Sequence, residues 1–379
     1  MNKFNFIFIG NIYFGTKSRN CLGDILKGNG YQSACIIIDH ALLSVPIFND
    51  YLATLQCDVK IIECDISEPT YEKLEEKRVE LKNAEIDVFI GIGGGSALDM
   101  AKGLAVLYSN DGPAISFRGF EQYSESIVPI IAMPTTAGTG SEITPNASFI
   151  DTNEKRKMGI NGEAIRPKYA ILDPELTLSC PKAPTISAGV DSLVHATEAF
   201  VAKKTNPMAK MFAKEGFKLV IENLPLLVDD LENIDLREKV MYGAFHSAIA
   251  LMNSGTGPAA ALSYPLGVHF GVPHGIGGGI FLPYVIQHNI NEGFFDYADL
   301  YQANKNTNSK EKGTKLFIER IWDTWERLKV SQNLGDFGVK NSHFNSIILD
   351  AIDLKSALDQ NPVPFYEKEI ELTLNKLLK

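Results

Sequence analysis

No apolar stretch in the 379 residues approaches the roughly 18 that a membrane-spanning helix needs, so no membrane partner is expected. A surplus of cations is also missing: 36 Lys and Arg stand against 46 Asp and Glu, a formal net charge of −10. Such a balance gives no basic face for a polyanion and argues against nucleic acid. Cysteine is sparse and unpatterned. Cys21, Cys35, Cys57, Cys64 and Cys180 are an odd number with no CxxC pair, which argues against cysteine zinc or redox chemistry and fits reduced packing residues of a cytoplasmic protein. The apolar start, Phe4 to Ile9, is broken early by Gly10 and Asn11. It is too short for the core of a secretory leader, about 7–15 residues, and reads as a buried first strand. No repeat or low-complexity tract is present.

What remains is a globular composition, long enough for two domains at the usual size of roughly 100–200 residues each. The first half alternates β-rich runs with helical stretches, as a parallel sheet covered by helices does. Expected strands are Phe4–Ile9, Ala34–Ile38, Val59–Cys64, Val88–Ile92 and Val128–Met133, followed by shorter runs at Ala147–Asp151 and Ala170–Leu172. Tyr71–Asn83 reads as a helix between strands. Beyond Pro174, Pro181 and Pro184 the apolar residues recur at helical spacing, with helices expected over Ser187–Lys203, Asn206–Leu224, Leu236–Asn253 and Lys312–Leu328. The expected fold class is therefore α/β plus all-α: a Rossmann-like α/β domain over residues 1–184, then an all-helical domain over residues 185–379.

Two loops carry the chemistry of the first half. Strand Val88–Ile92 runs into Gly93-Gly94-Gly95-Ser96 and a helical Ala97–Lys102, a strand–turn–helix in which backbone N–H groups and a helix N-terminus can approach a pyrophosphate. A second loop, Pro134-Thr135-Thr136-Ala137-Gly138-Thr139-Gly140-Ser141-Glu142, follows another strand, and ligands of open α/β sheets bind beyond such strand ends. Asp39 ends the strand Ala34–Ile38, where a carboxylate accepts from a ribose diol and repels a 2′-phosphate, favouring NAD over NADP. The same residue type is also common in plain turns.

In the second half, Asp191 and His195 are four residues apart on one expected helix and share a face. The segment Pro265–Gly275 adds His269 and His274 in what reads as a glycine-rich turn.

The ordered set GGGSALDMAK, PTTAGTGSEIT, GVDSLVHATEAF and PLGVHFGVPHG resembles the iron-containing alcohol dehydrogenase family over nearly the whole chain. The resemblance implies a homodimer, a small-molecule substrate, a nicotinamide cofactor and a divalent metal, Fe or Zn. Carried over residue by residue, it implies that Gly94, Gly95, Ser96 and Asp99 hold the pyrophosphate. Thr135, Thr136, Thr139 and Ser141 would line the loop towards the nicotinamide, and Lys157 would contact the ribose. The family's metal is held by one Asp and three His. Asp191, His195 and His274 match three of those positions, while the fourth falls on Ala260, and a neighbouring histidine position falls on Tyr264.

A methyl group cannot ligate, which leaves three arrangements open: a three-ligand site completed by water or substrate, His269 or His246 as a substitute ligand, or a metal held weakly or not at all. Tyr264 and His269 are the candidate proton carriers. The function implied is an NAD(P)-linked alcohol dehydrogenase or aldehyde reductase. The alternatives are a sugar-acid oxidase similar to 3-deoxy-manno-octulosonate 8-oxidase, and a nucleotide-binding protein without metal or catalysis. A cyclase similar to dehydroquinate synthase would need a more basic phosphate pocket than the helical half offers.

Overall fold

The computed structural model describes residues 3–7, 10–64, 68–124, 126–301 and 309–378. The chain divides into two compact units, Phe8–Pro181 and Lys182–Lys379, the latter joined by Met1–Ile7.

The strands of the first unit are β1 (Asn11–Phe14), β2 (Ser33–Asp39), β3 (Asp58–Cys64), β4 (Val88–Gly93), β5 (Gly119–Phe120), β6 (Ile130–Pro134), β7 (Asn146–Asp151), β8 (Arg156–Asn161) and β9 (Tyr169–Leu172). Six form a parallel sheet in the order β1-β9-β6-β4-β2-β3, and β5-β8-β7 form a small second sheet. Every residue of β4 is buried, which is why its sequence is apolar without alternation. The register sets Ile38 beside Ile92 and Gly93 beside Pro134, so the ends of β2, β4 and β6 adjoin. From β2 the chain moves outward to β3 and then returns to the other side of β2 for β4 and β6, giving a topological switch between β2 and β4. Helices α1 (Cys21–Asn29), α2 (Pro46–Leu52), α3 (Tyr71–Arg78) and α4 (Gly95–Ser109) complete the layers. One apolar core joins Phe89, Leu104 and Phe149, and another joins Leu22, Ile36 and Ile90.

The second unit is helical among its described residues: α5 (Lys182–Val201), α6 (Pro207–Leu227), α7 (Ile234–Met252), α8 (Pro258–Phe270), α9 (His274–Asn291), α10 (Lys310–Leu328), α11 (Phe344–Asp353), α12 (Lys355–Leu358) and α13 (Glu367–Leu377). No described helix is long and apolar enough to cross a membrane. None of the five cysteines is in a disulfide.

Three expectations are corrected. The run Phe4–Ile9 is not a strand over its described part: Phe6 stacks on Phe212 at 5.9 Å, and Ile7 exchanges hydrogen bonds of 2.7 and 3.1 Å with the Asn253 side chain. An apolar run needs only an apolar surface, and here a helix supplies it; Phe8 and Ile9 lie outside the described residues. Tyr71–Asn83 is helical only to Arg78, followed by a 3₁₀ turn over Val79–Leu81. Pro265–Gly275 is not one turn but the end of α8 and the start of α9, with Pro265 inside the helix.

Candidate functional site

At the end of β4, Gly93 has φ of +153°, and a Cβ there would lie 2.7 Å from the Ala97 Cβ and 3.3 Å from that of Asp39. A Cβ on Gly95 would lie 2.9 Å from the Thr139 methyl. These two glycines are explained by backbone conformation and close packing. The start of α4 is not so explained: among the described residues no side chain caps it and its first turn holds no acid, so its positive end can face an anion. The second loop lies against the first, with the Thr135 N–H donating to the Gly93 carbonyl at 2.9 Å. Asp39 is partly committed, accepting from the Ala41 N–H at 3.0 Å as the cap of a 3₁₀ turn.

Asp99 and Ser141, which the resemblance assigns to the dinucleotide, are bonded to each other. Ser141 donates to Asp99 at 2.5 Å, and the second Asp99 oxygen accepts from the Ser148 N–H at 2.8 Å. These bonds tie the second loop to α4. Lys157, expected at a ribose, is 2.6 Å from the Glu68 carboxylate. Thr136 lies against Gly94, and Ser96 sits in the first turn of α4.

Lys102 has no role in the sequence reading and is central to this region. Fully buried, it donates to the Ser141 hydroxyl at 2.9 Å and to the carbonyls of Thr144 and Asn146 at 3.0 and 2.7 Å. Burial brings its ammonium from 10.5 down to about 8, with Asp99 and Glu142 opposing the shift. Below about 8 the folded and unfolded chains are both protonated and the full cost of burying the charge is present. From there up to 10.5 the folded chain releases its proton first, so the unfolded chain binds more protons and stability rises with pH. In denaturant titrations across that interval the stability of the parent relative to Lys102→Met should rise by about 3 kcal/mol, while the buried Cys35 thiol, pushed up to about 12, pulls both chains the other way. Lys102→Met lacks this contribution and, by leaving the Asp99 carboxyl without its neighbouring ammonium and the Thr144 and Asn146 carbonyls without this donor, should cost about 3 kcal/mol at neutral pH.

In the helical unit, Asp191 and His195 lie one turn apart on α5, with His195 Nε2 3.4 Å from Asp191 Oδ1. His274, the first residue of α9, brings its Nε2 to 3.8 Å from the same oxygen. The three residues offer ligand atoms within 4.8 Å of one another. Two donors about 2.1 Å from one ion stand roughly 3–4 Å apart, so the spacing suits a cation. Asp191 is buried, and its ion-pair partners among the described residues are the two imidazoles; His195 Nδ1 is also buried and without a hydrogen-bond partner. A buried carboxylate with two imidazoles beside it is a donor set that suits a divalent ion.

Packing brings the three residues together. A Cβ on Gly275 would sit 2.0 Å from the Ser187 carbonyl oxygen, and one on Gly279 2.4 Å from a Val190 methyl, so glycine alone lets α9 lie this close to α5. Glu198, a turn beyond His195 on α5, fixes α8 by accepting from the N–H groups of Gly257 and Ala259 at 2.7 Å and of Ala260 at 3.3 Å. Burial pushes that carboxyl up to about 7 against these donors.

The remaining candidates divide. Tyr264 is at the cluster, its ring edge-on to that of His274 with centroids 5.1 Å apart. His269 is turned to another partner: its Nε2 lies 2.7 Å from Asp350. His246 is packed among Phe212, Tyr242 and Phe245, with burial lowering its basicity. Neither belongs to the metal-type cluster found among the described residues.

Comparison with known proteins agrees with this arrangement. The family model described as iron-containing alcohol dehydrogenase matches residues 10–174, and its C-terminal counterpart, described as Fe-containing alcohol dehydrogenase family, C-terminal, matches residues 185–378. The chain belongs to the iron-containing alcohol dehydrogenase family. This member is an oxidoreductase acting on CH–OH groups. It is 30% identical over 338 residues to an NAD-dependent methanol dehydrogenase of Bacillus methanolicus, covering 88% of this chain and 89% of the relative. To a 1,3-propanediol dehydrogenase of Citrobacter freundii it is 28% identical, covering 94% of each chain. A solved 1,3-propanediol oxidoreductase superposes with a TM-score of 0.93 at 26% identity, covering 99% of this chain and all of that one.

Proposed function

We propose that this dehydrogenase couples NAD to the oxidation of a small alcohol, or the reverse reduction of an aldehyde, with one divalent ion held by Asp191, His195 and His274. The observation that carries the reading is the spacing of those three ligand atoms, with Asp191 and His195 buried. The dinucleotide supplies a hydride acceptor, and the ion a Lewis acid for the substrate oxygen. The uncapped start of α4 and the glycine turn before it would receive the pyrophosphate, with Thr135, Thr136 and Thr139 bordering it. Asp39, at the switch between β2 and β4, would accept from the adenosine ribose and disfavour a 2′-phosphate. Tyr264 is placed to handle the substrate proton beside His274. The five cysteines, none in a disulfide, support a reducing, cytoplasmic setting. A homodimer is proposed on the family resemblance and is read directly by sedimentation velocity.

Ala260 favours a second reading, a nucleotide-binding protein without metal or turnover. The two separate in one experiment. Protein stripped by a chelator and reloaded with Fe²⁺ or Zn²⁺ is assayed for NADH formation on short primary alcohols and 1,3-propanediol. The first reading expects turnover that vanishes on stripping and returns on reloading, with NAD preferred to NADP. Dinucleotide binding without turnover under either metal would leave the second.

A further inference from the structure

The proposed cluster holds its two imidazoles in different ways. His195 has a buried Nδ1 with no hydrogen-bond partner, whereas His274 Nδ1 lies 2.7 Å from the Ser263 hydroxyl. Ser263 is buried and donates its own proton to the Ala260 carbonyl at 2.6 Å, a bond back along its helix. A hydroxyl has a single proton. With that proton on the Ala260 carbonyl, the oxygen meets His274 as an acceptor, and His274 carries its proton on Nδ1. The lone pair is then on Nε2, the nitrogen facing Asp191.

The arrangement is held from both helices. A Cβ on Gly277 would come within 3.0 Å of the Ser263 Cβ, so α9 lies directly on Ser263, and the edge of Tyr264 flanks the His274 ring. Ala260, the residue that offers no ligand of its own, thus acts through its backbone: its carbonyl fixes the direction of the Ser263 hydroxyl, which fixes the tautomer of His274.

We infer that Ser263 is a positioning residue that pre-sets His274 as an Nε2 ligand, an orienting contact in a site that has one fewer protein ligand than its relatives' pattern. The inference rests on the reading of Asp191, His195 and His274 as a metal site, and it needs no proton transfer and no redox step. Hydrogen-bond partners of this kind typically contribute about 10–100-fold to metal affinity.

The test uses two readouts on the full chain. Zinc affinity is measured by calorimetry for the parent and for Ser263→Ala, and ring ¹⁵N shifts are recorded on metal-free, ¹⁵N-histidine-labelled protein, with His274→Gln assigning the His274 signals. The expected results are an Nδ1–H tautomer at His274 in the parent, its loss in Ser263→Ala, and a Kd for Zn²⁺ raised about 10–100-fold while circular dichroism is unchanged. An Nε2–H tautomer in the parent, or a variant affinity within twofold of the parent, would overturn the role of Ser263. If the parent holds no Zn²⁺, it is the metal-site reading that falls, and the tautomer measurement still decides what Ser263 does.

Discussion

His274→Ala should bind no divalent ion at concentrations that fill the parent site, and should lower kcat/KM for alcohol oxidation by at least about 10³-fold. That factor corresponds to roughly 4 kcal/mol of transition-state stabilisation. The size follows from the ligand count. With four protein ligands, losing one leaves three; with Asp191, His195 and His274 alone, losing one leaves two on the same helix. Those two are 3.4 Å apart at the atoms that would bind. Two ligands hold an ion too loosely to stay occupied through turnover. Dinucleotide affinity, which the proposed function assigns to the start of α4 in the other unit, should change less than about threefold, a factor worth under 1 kcal/mol. Metal content by atomic emission together with NAD titration by fluorescence checks both halves of the expectation.

A second large effect comes from a residue with no chemistry. Gly275→Ala places a Cβ 2.0 Å from the Ser187 carbonyl oxygen and 2.8 Å from the Asp191 Cβ. The first neighbour is backbone in the middle of α5 and cannot swing aside, so α9 must move away from α5. Overpacking of this kind costs about 1–3 kcal/mol or more, and a shift of about 10 °C in the melting temperature of the helical unit is expected at the upper end. The same displacement carries His274 away from Asp191, so metal binding should be lost even in the fraction that stays folded. Thermal melts with and without Zn²⁺ report both consequences: the parent is stabilised by the ion and the variant is not. Zinc stabilisation of the variant equal to that of the parent would show that α9 accommodates the methyl without moving.

The contrast between these residues explains how much could be read in advance. Asp191 and His195 were legible because four residues on a helix is a local spacing with one geometric meaning. The glycine turn after Val88–Ile92 was legible because strand, turn and helix follow one another directly in the chain. Lys102 with Ser141, Glu198 with the start of α8, and Ser263 with His274 are buried polar pairs brought together by packing. Nothing in the residues around Lys102 distinguishes a fully buried ammonium from an ordinary helical lysine, since its acceptors lie about forty positions later. The surroundings of His246 and His269 could not be read in advance for the same reason: aromatic rings pack around the first and Asp350 bonds the second. The first strand failed differently: Phe4–Ile9 has the composition of a buried strand, and composition does not say whether a sheet or a helix will cover it.

Ala260 gives this account its most exposed point. A three-residue site predicts that metal-edge anomalous diffraction from crystals grown with Zn²⁺ shows a single strong peak bounded by Asp191, His195 and His274, with no protein atom from residue 260 in contact. A zinc-saturated crystal with no peak at that position, or with the ion bound to His246 or His269 instead, would contradict it.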